Sequence, residues 1–464
     1  MISVADIREL AAEWQLLEEI VEKDYVLGWI LWGIAHEPRL ADHWVFKGGT
    51  CLKKCYIETY RFSEDLDFTV LPSGIWQPDD LRAVFGGVLL RVYRESGIEC
   101  RSQPLQFKLR PGGNSTEGRV YYTGPRKTPT PARIKLDITP NECVVLPPVH
   151  REISHSYLDE LPAPRTIQCY AFEEVFAEKV RAMGERCRPR DLYDIVNLYR
   201  HPEIHPVTPL IYDTLKAKCE FKSVPVPTLG LLQASPHRTE LETEWENMLA
   251  HQLPALPPFD SFWQELPGLF AWLEGRLPVS VPPAIRRAVG ETPWRAPATI
   301  SRWGSGSPIE TIRFAGANRL CIELTYEGAK RIIEPYSLRR TLDGNLVLHA
   351  LRSDSHKHRS YRVDRIEGVR ITKQTFQPVY QVEFSTIGPI VAPPTARPAA
   401  AIKTAKPRSK AHFSRGLVRV VQCTLCGKQF RRTTTGTKLK PHKRKIGRLD
   451  CPGRTGIFVR TQFR

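Results

Sequence analysis

The stretch FKGGTCLKKCYIETYRFSEDLDFTV, residues 46 to 70, constrains the fold more than any other part of this chain. A short apolar run enters a glycine pair, Gly48 and Gly49, a helix-like segment follows, and DLDFTV then alternates as a strand does. Strand residues two apart share a face, so Asp65 and Asp67 present their carboxylates together. Like charges that close repel unless a cation lies between them. A hard divalent ion such as Mg2+ takes oxygen ligands and bridges carboxylates to phosphates. The glycines let the backbone turn sharply and offer N–H groups to phosphate at the start of the next helix, and Thr50 adds a hydroxyl. Asp137, in the alternating segment ARIKLDITP, supplies a third carboxylate if its strand lies beside the first. The layout suits gripping a triphosphate while metal activates an attacking oxygen and stabilises the leaving pyrophosphate.

A chain of 464 residues is too long for one ordinary core, and 41% hydrophobic with 25% charged residues describes a soluble globular protein. Its longest apolar runs, such as VLGWILWGIA at 26 to 35, fall short of a bilayer span, so no membrane contact is expected. The opening MISVADIREL lacks the basic-then-apolar pattern of a secretion signal. Eleven cysteines, mostly single, suit a reducing compartment, and a cytoplasmic location is expected. The net charge of +17 sits in one place: residues 401 to 464 hold 18 Lys and Arg against one acid, Asp450, and the remaining 400 residues balance 49 against 49. A neutral body with a cationic tail points to a polyanionic partner, most simply nucleic acid.

Apolar spacing predicts helices over residues 5 to 36, 79 to 97 and from Ala171 to Cys187, where Pro189 interrupts and RDLYDIVNLYR restarts. Further helical patterns cover 237 to 252 and 259 to 276. The expected organisation is a domain over 1–280, a Pro/Arg/Gly-rich linker over 281–308, and a β-rich domain of short alternating segments over 309–388. A basic, low-complexity linker over 389–415 and a Cys/His segment over 416–464 complete it.

Two separated motifs, RFSEDLDF from Arg61 and EEVFAEKVRAMGERCRPRDLYDIVNLYR, resemble the nucleotidyltransferase signature and specifically the AbiEii/AbiGii toxin family, over roughly residues 10 to 280. The resemblance implies a polymerase β-like α+β domain with a helical C-terminal half. It implies Mg2+-dependent transfer of NMP from an NTP to RNA, particularly the tRNA 3′ end, as the toxin of a type IV toxin–antitoxin or phage-defence system with a cognate antitoxin. Carried onto these residues, Asp65 and Asp67 would hold Mg2+, and Lys47, Gly48, Gly49, Thr50 and Lys179 would hold the triphosphate. Asp137 would be a metal ligand or help activate the acceptor, and Asp191 would support the site. Lys179 and Asp191 flank the Pro189 break, so only packing can bring them together, and Asp194, one turn on, is the alternative acid. Arg186, Arg188 and Arg190 serve phosphates or the surface. Gly49 stands where other nucleotidyltransferases often have Ser, which backbone contact to phosphate does not need. Two other readings are a nucleic-acid-binding regulator with an inactive or nucleotide-sensing fold, and a protein AMPylator.

Residues 333 to 372 resemble the WYL domain, a small SH3-like β-barrel module of bacterial regulators. The name-giving Trp-Tyr-Leu is replaced by Leu346–Leu348, while the Pro335–Leu338 entry and the Arg359–Ile366 exit persist. The resemblance implies a groove for nucleic acid or nucleotides lined by Arg339, Arg359, Arg362 and Arg365. Period-two spacing does not put them all on one face, and pairing with Asp364 and Glu367 is the alternative. In the tail, Cys423, Cys426, His442 and Cys451 follow C-x2-C-x15-H-x8-C, which suits a tetrahedral structural Zn2+, with His412 as a competing ligand. Lys428, Arg431, Arg432, Lys438, Lys440, Lys443, Arg444, Lys445 and Arg448 lie between these ligands and suit the phosphates of DNA or RNA. Phe430 is placed to stack on a base or to pack on the knuckle.

Overall fold

A computed structural model describes residues 1–57, 61–200, 208–276, 282–286, 288, 290–293, 308–384, 417–432, 437–444 and 450–463. Two compact units emerge, Met1–Pro394 and Thr395–Arg464. Among the described residues no helix is long and apolar enough to cross a membrane.

The first unit opens with α1 (Val4–Trp14), which Ser3 and Asp6 cap reciprocally, and α2 (Glu18–Ala35), whose near-complete burial matches its apolar character all round. After the short α3 (Pro38–Ala41) and β1 (Trp44–Lys47), the glycine pair opens α4 (Gly48–Cys51), which runs straight into a π-helical turn, Leu52–Tyr56. Then come β2 (Asp65–Val70), α5 (Pro78–Ser96) and the strands β3 (Gln106–Leu109), β4 (Thr116–Tyr122), β5 (Ala132–Thr139), β6 (Val149–Glu152) and β7 (Thr166–Cys169). These seven strands form one sheet in the order β3-β4-β5-β2-β1-β7-β6, parallel at β2–β5 and β1–β7 and antiparallel elsewhere. Alternation decides its faces: Ile134, Leu136 and Ile138 of β5 are fully buried, which turns Lys135 and Asp137 to the opposite side.

Cys187 in the left-handed conformation ends α6 (Phe172–Arg186), and Pro189 starts α7 (Pro189–Tyr199) at a position where its missing N–H costs nothing. After α8 (Thr208–Lys222) comes the short α9 (Leu229–Gln233), and the two expected long helices are each broken in two, into α10 (Arg238–Thr243) and α11 (Trp245–Leu249), then α12 (Phe259–Trp263) and α13 (Leu266–Leu273). Pro267 in the first turn of α13 explains the second break, because it cannot donate into a continuing helix.

The two-residue β8 (Thr292–Pro293) pairs with a later strand and Ile285 packs beside Tyr336 and Phe376, so the described part of the expected 281–308 linker lies on the β module. The expected strand at Ile309 is instead a helix, α14 (Ile309–Ala317), which buries Ile309, Ile312 and Ala315 at helical spacing that IETIRF also offers as alternation. The strands β9 (Leu320–Tyr326), β10 (Ala329–Arg340), β11 (Leu346–Arg352), β12 (His358–Arg362) and β13 (Ile366–Thr375) pair antiparallel in the order β12-β11-β10-β9-β13. Ile309, Ile312, Leu320 and Leu348 belong to the same core as Val21, Tyr193 and Leu266. The catalytic and β modules therefore share one hydrophobic interior.

In the second unit β14 (Leu417–Cys423) pairs with β15 (Gln429–Arg432) and β18 (Gly456–Phe463), and β16 (His442–Lys443) pairs with β17 (Asp450–Cys451). The expected basic linker, with His412, lies outside the described residues, as do Lys445, Arg448 and the side chain of Arg432.

Candidate active site

Sheet register assembles the site. Asp67 of β2 stands opposite Lys47 of β1 on one side and Asp137 of β5 on the other, and Glu117 of β4 follows Asp137. A basic residue and three acids thus form one row across four strands, with Asp65 on the same face two residues from Asp67. The carboxylates do not converge on one point: the described His, Cys, Asp and Glu residues whose ligand atoms meet in groups of three or more within 4.8 Å lie elsewhere. Asp137 is drawn aside by Arg110 and by Lys135, whose Nζ donates at 2.9 Å. Burial and the Asp137 and Asp65 carboxylates push the Asp67 carboxyl up to about 6, against the pull of Lys47 and Lys179. Burial likewise raises Asp65. Lys47 itself is held by Glu142, which also accepts from Thr69 Oγ1 at 2.7 Å.

The glycine turn wraps the edge of this row. Gly48 has φ +82°, and a Cβ there would sit 2.3 Å from Asp67 Oδ2. A Cβ at Gly49 would meet Arg61 Nη2 at 2.7 Å. Gly48 demands glycine, because its left-handed backbone and the Asp67 carboxylate leave no room for a side chain, whereas a side chain at Gly49 would have to displace the Arg61 guanidinium. Thr50 is fully buried and its hydroxyl donates to the carbonyl of Asp65, so it ties the turn to β2 and is not presented outward, contrary to the role expected from sequence. Gly48→Ala combines a left-handed strain of about 1–2 kcal/mol with a displaced Asp67. Transfer kinetics should show a loss on the order of 10²-fold with the circular dichroism spectrum retained; wild-type kinetics would refute the packing described.

Packing brings the distant helices in. Lys179 of α6 reaches Asp194 of α7, with Nζ 2.6 Å from Oδ2, and Arg61 donates to the same carboxylate at 2.8 and 3.0 Å and to Gln252 at 2.8 Å. Burial alone would raise the Asp194 carboxyl; the Arg61 and Lys179 charges override it and hold it well below the usual range. Asp191 points elsewhere and is clamped by Arg186 through two 2.7 Å bonds. The acid joined to Lys179 is therefore Asp194, the alternative, because α7 turns Asp191 away from α6's lysine. Arg190, on the first turn of α7, has a buried Nε with no partner. Burial and Arg61 hold it below the usual arginine range, while Asp65, Glu64 and Asp194 pull the other way. Glu142, Arg110 and the pairing of Arg61 with Asp194 were not read from sequence, although Asp194 stood there as the alternative acid and Arg61 opens RFSEDLDF.

A mixed sheet with acids on its central strands, a glycine turn at their edge and a lysine helix beside them defines a nucleotidyltransferase. A family model described as nucleotidyl transferase AbiEii toxin, type IV TA system, matches residues 29–265, and a WYL domain model matches 309–371. The first match spans more than half of the chain, which belongs to the AbiEii nucleotidyltransferase toxin family. NTP-dependent nucleotidyl transfer in a toxin–antitoxin setting follows from that membership. Among solved structures, MenT4, a nucleotidyltransferase toxin from Mycobacterium tuberculosis, is 20% identical with a TM-score of 0.41, over 59% of this chain and 90% of its own. No curated protein matches.

The expected arginine groove of the WYL module loses a member. Arg339 is fully buried, donates to the Ile285 carbonyl and to Glu383 at 3.0 Å each, and lies 3.6 Å from Glu291. It is a core ion-pair residue, because its position on β10 faces the interior. Arg362 pairs with Asp364 at 2.6 Å and Arg365 lies 3.5 Å from Glu327, whereas Arg359 is exposed and donates to the His358 carbonyl.

In the tail, Cys423, Cys426, His442 and Cys451 bring their ligand atoms within 4.8 Å of one another. His442 Nδ1 lies 2.9 Å from the Lys440 carbonyl, which fixes the tautomer that frees Nε2 for a metal. A Cβ at Gly453 would approach Cys423 Sγ to 2.6 Å, and Phe430 packs edge-on against the His442 ring at 4.8 Å. Arg431, Lys443 and Arg444 are exposed, while Lys428 is half-buried with Nζ 3.4 Å from the Lys443 carbonyl.

Proposed function

We propose that this chain moves a nucleoside monophosphate from an NTP to the terminal hydroxyl of an RNA, tRNA above all, in a Mg2+-dependent reaction, as a toxin restrained by a cognate antitoxin in the cytoplasm. The supporting observation is the Lys47–Asp67–Asp137 row, bordered by the glycine turn and by Lys179 on its Asp194–Arg61 clamp. The donor set fits a hard cation, since the half-buried Asp67 carboxyl is crowded by two further acids. Bound there by Asp65 and Asp67, Mg2+ would neutralise the carboxylates and polarise the phosphate under attack. The glycine-turn N–H groups receive phosphate oxygens, and Lys47, Lys179 and Arg190 balance the triphosphate charge. Asp137 takes the acceptor proton as the acceptor oxygen bonds to the α-phosphorus and pyrophosphate departs. Incubation with Mg2+, each labelled NTP and total RNA or tRNA tests this. Label in RNA that vanishes in Asp65→Ala is expected; label on polypeptide, or no transfer alongside tight DNA binding, would overturn it.

For the tail we infer one structural Zn2+ on Cys423, Cys426, His442 and Cys451, presenting Arg431, Lys443 and Arg444 to phosphates. Cys426→Ser should release one zinc per chain by elemental analysis and weaken RNA binding at low salt while the transfer site keeps its NTP affinity. Unchanged zinc content would exclude this ligand set.

A further inference from the structure

A second group of thiols converges inside the catalytic module. Cys51, Cys55 and Cys169 are fully buried, and their sulfurs all lie within 4.8 Å of one another. Cys51 ends α4 and Cys55 follows one turn later in the π-helical segment, while Cys169 ends β7 opposite Phe46 of β1. The three thus come from the helical run that the glycine turn opens and from the strand beside β1, and none was grouped from sequence, where they read as isolated cysteines. Buried cysteines serve commonly as small apolar side chains. Three sulfurs meeting at one point, one of them on a turn of a helix type that recurs at functional sites, need a further reason.

We propose that Cys51, Cys55 and Cys169 form a three-sulfur site for a soft, thiophilic cation of low coordination number, Cu(I) in the first instance. Around a trigonal centre with metal–sulfur bonds of about 2.3 Å, the sulfurs stand about 4 Å apart, inside the observed spacing. Complete burial offers no water to fill further positions, which disfavours hard six-coordinate ions, and thiolate sulfur selects Cu(I) over them. Compensating charge is at hand: Arg151 donates through Nε to the Cys55 carbonyl at 3.2 Å and lies 4.9 Å from the Tyr56 ring centre. Tyr56 Oη donates to the Tyr170 carbonyl at 2.5 Å, so the 3.6 Å contact with Cys169 Sγ uses the thiol proton, which metal binding releases. Thr50, next to Cys51, is bonded to β2, so loading the site bears on the glycine turn.

The test uses the full chain carrying Cys423→Ser and Cys426→Ser, which disables the tail ligands, titrated anaerobically with Cu(I) against a chromophoric Cu(I) chelator. One copper per chain is expected, with X-ray absorption reporting three sulfur neighbours. Adding Cys51→Ala, Cys55→Ala and Cys169→Ala should remove that copper. Failure of the tail-disabled chain to take copper from the chelator, a nitrogen or oxygen shell in the absorption spectrum, or full copper retention in the alanine variant would each overturn the proposal. Should the alanine variant not fold, the sulfur count in the tail-disabled chain decides alone.

Discussion

Asp67→Asn is expected to cut nucleotidyl transfer by on the order of 10³-fold or more while leaving the protein at least as stable at neutral pH. The two effects have one cause. Burial and the neighbouring Asp137 and Asp65 raise the Asp67 carboxyl to about 6 in the folded chain, so the native state binds its proton more tightly than the unfolded state does. Stability is therefore lost as pH rises from about 4 through about 6. Asn carries no such penalty. Its advantage over wild type should grow across that window to about 1–3 kcal/mol, at roughly 1.4 kcal/mol per pH unit. Denaturant unfolding at pH 4.5 and 7.5 reads this directly. Added Mg2+ should stabilise wild type and not the variant. An Asn variant that is active, or that gains nothing at pH 7.5, would remove Asp67 from the metal-binding role.

Asp194→Ala should destabilise the fold by about 3–5 kcal/mol and abolish transfer. The Arg61 side chain is 3% exposed and Lys179 10%, so deleting the carboxylate leaves two cations facing each other out of water. The sign with pH is opposite to that at Asp67. A carboxyl held well below its ordinary value contributes fully above about 4 and loses its contribution as pH falls further, so wild type and variant should converge in acid. Asp191→Ala is the control. Its partner Arg186 is 49% exposed and returns to solvent, so a smaller loss of stability and largely retained transfer are expected. Equal loss of transfer in both variants would contradict the assignment of Lys179's partner to Asp194.

The strands bearing Asp65, Asp67 and Asp137 were legible because period-two alternation writes itself into sequence, and so was the sharp turn at the glycine pair. Whether β5 lies beside β2 was not, since strand order is a long-range property. The same holds for the choice between Asp191 and Asp194: both are acids on one amphipathic helix, and only the approach of α6 selects between them. Arg339 misled because a charged residue on an alternating strand reads as exposed, whereas here acidic partners at Glu383 and Glu291 make its burial tolerable. The helix at Ile309 misled for a different reason, since six residues fit both periods. The Cys51–Cys55–Cys169 cluster left no trace in spacing, because its third member is supplied by a strand more than a hundred residues away.

Helix α7 has two tenants. Asp194 faces the lysine of α6, while the preceding residue, Tyr193, donates through its hydroxyl to Asn318 at 2.8 Å, at the junction of α14 and β9. Glu265 is shared in the same way, accepting from Arg200 at the end of α7 and from Arg319 beside Asn318. The WYL module is thus a wall of the enzyme and not an annex. Cutting it away would take the Asn318 partner from a buried phenol and leave Glu265 with half its counter-charge.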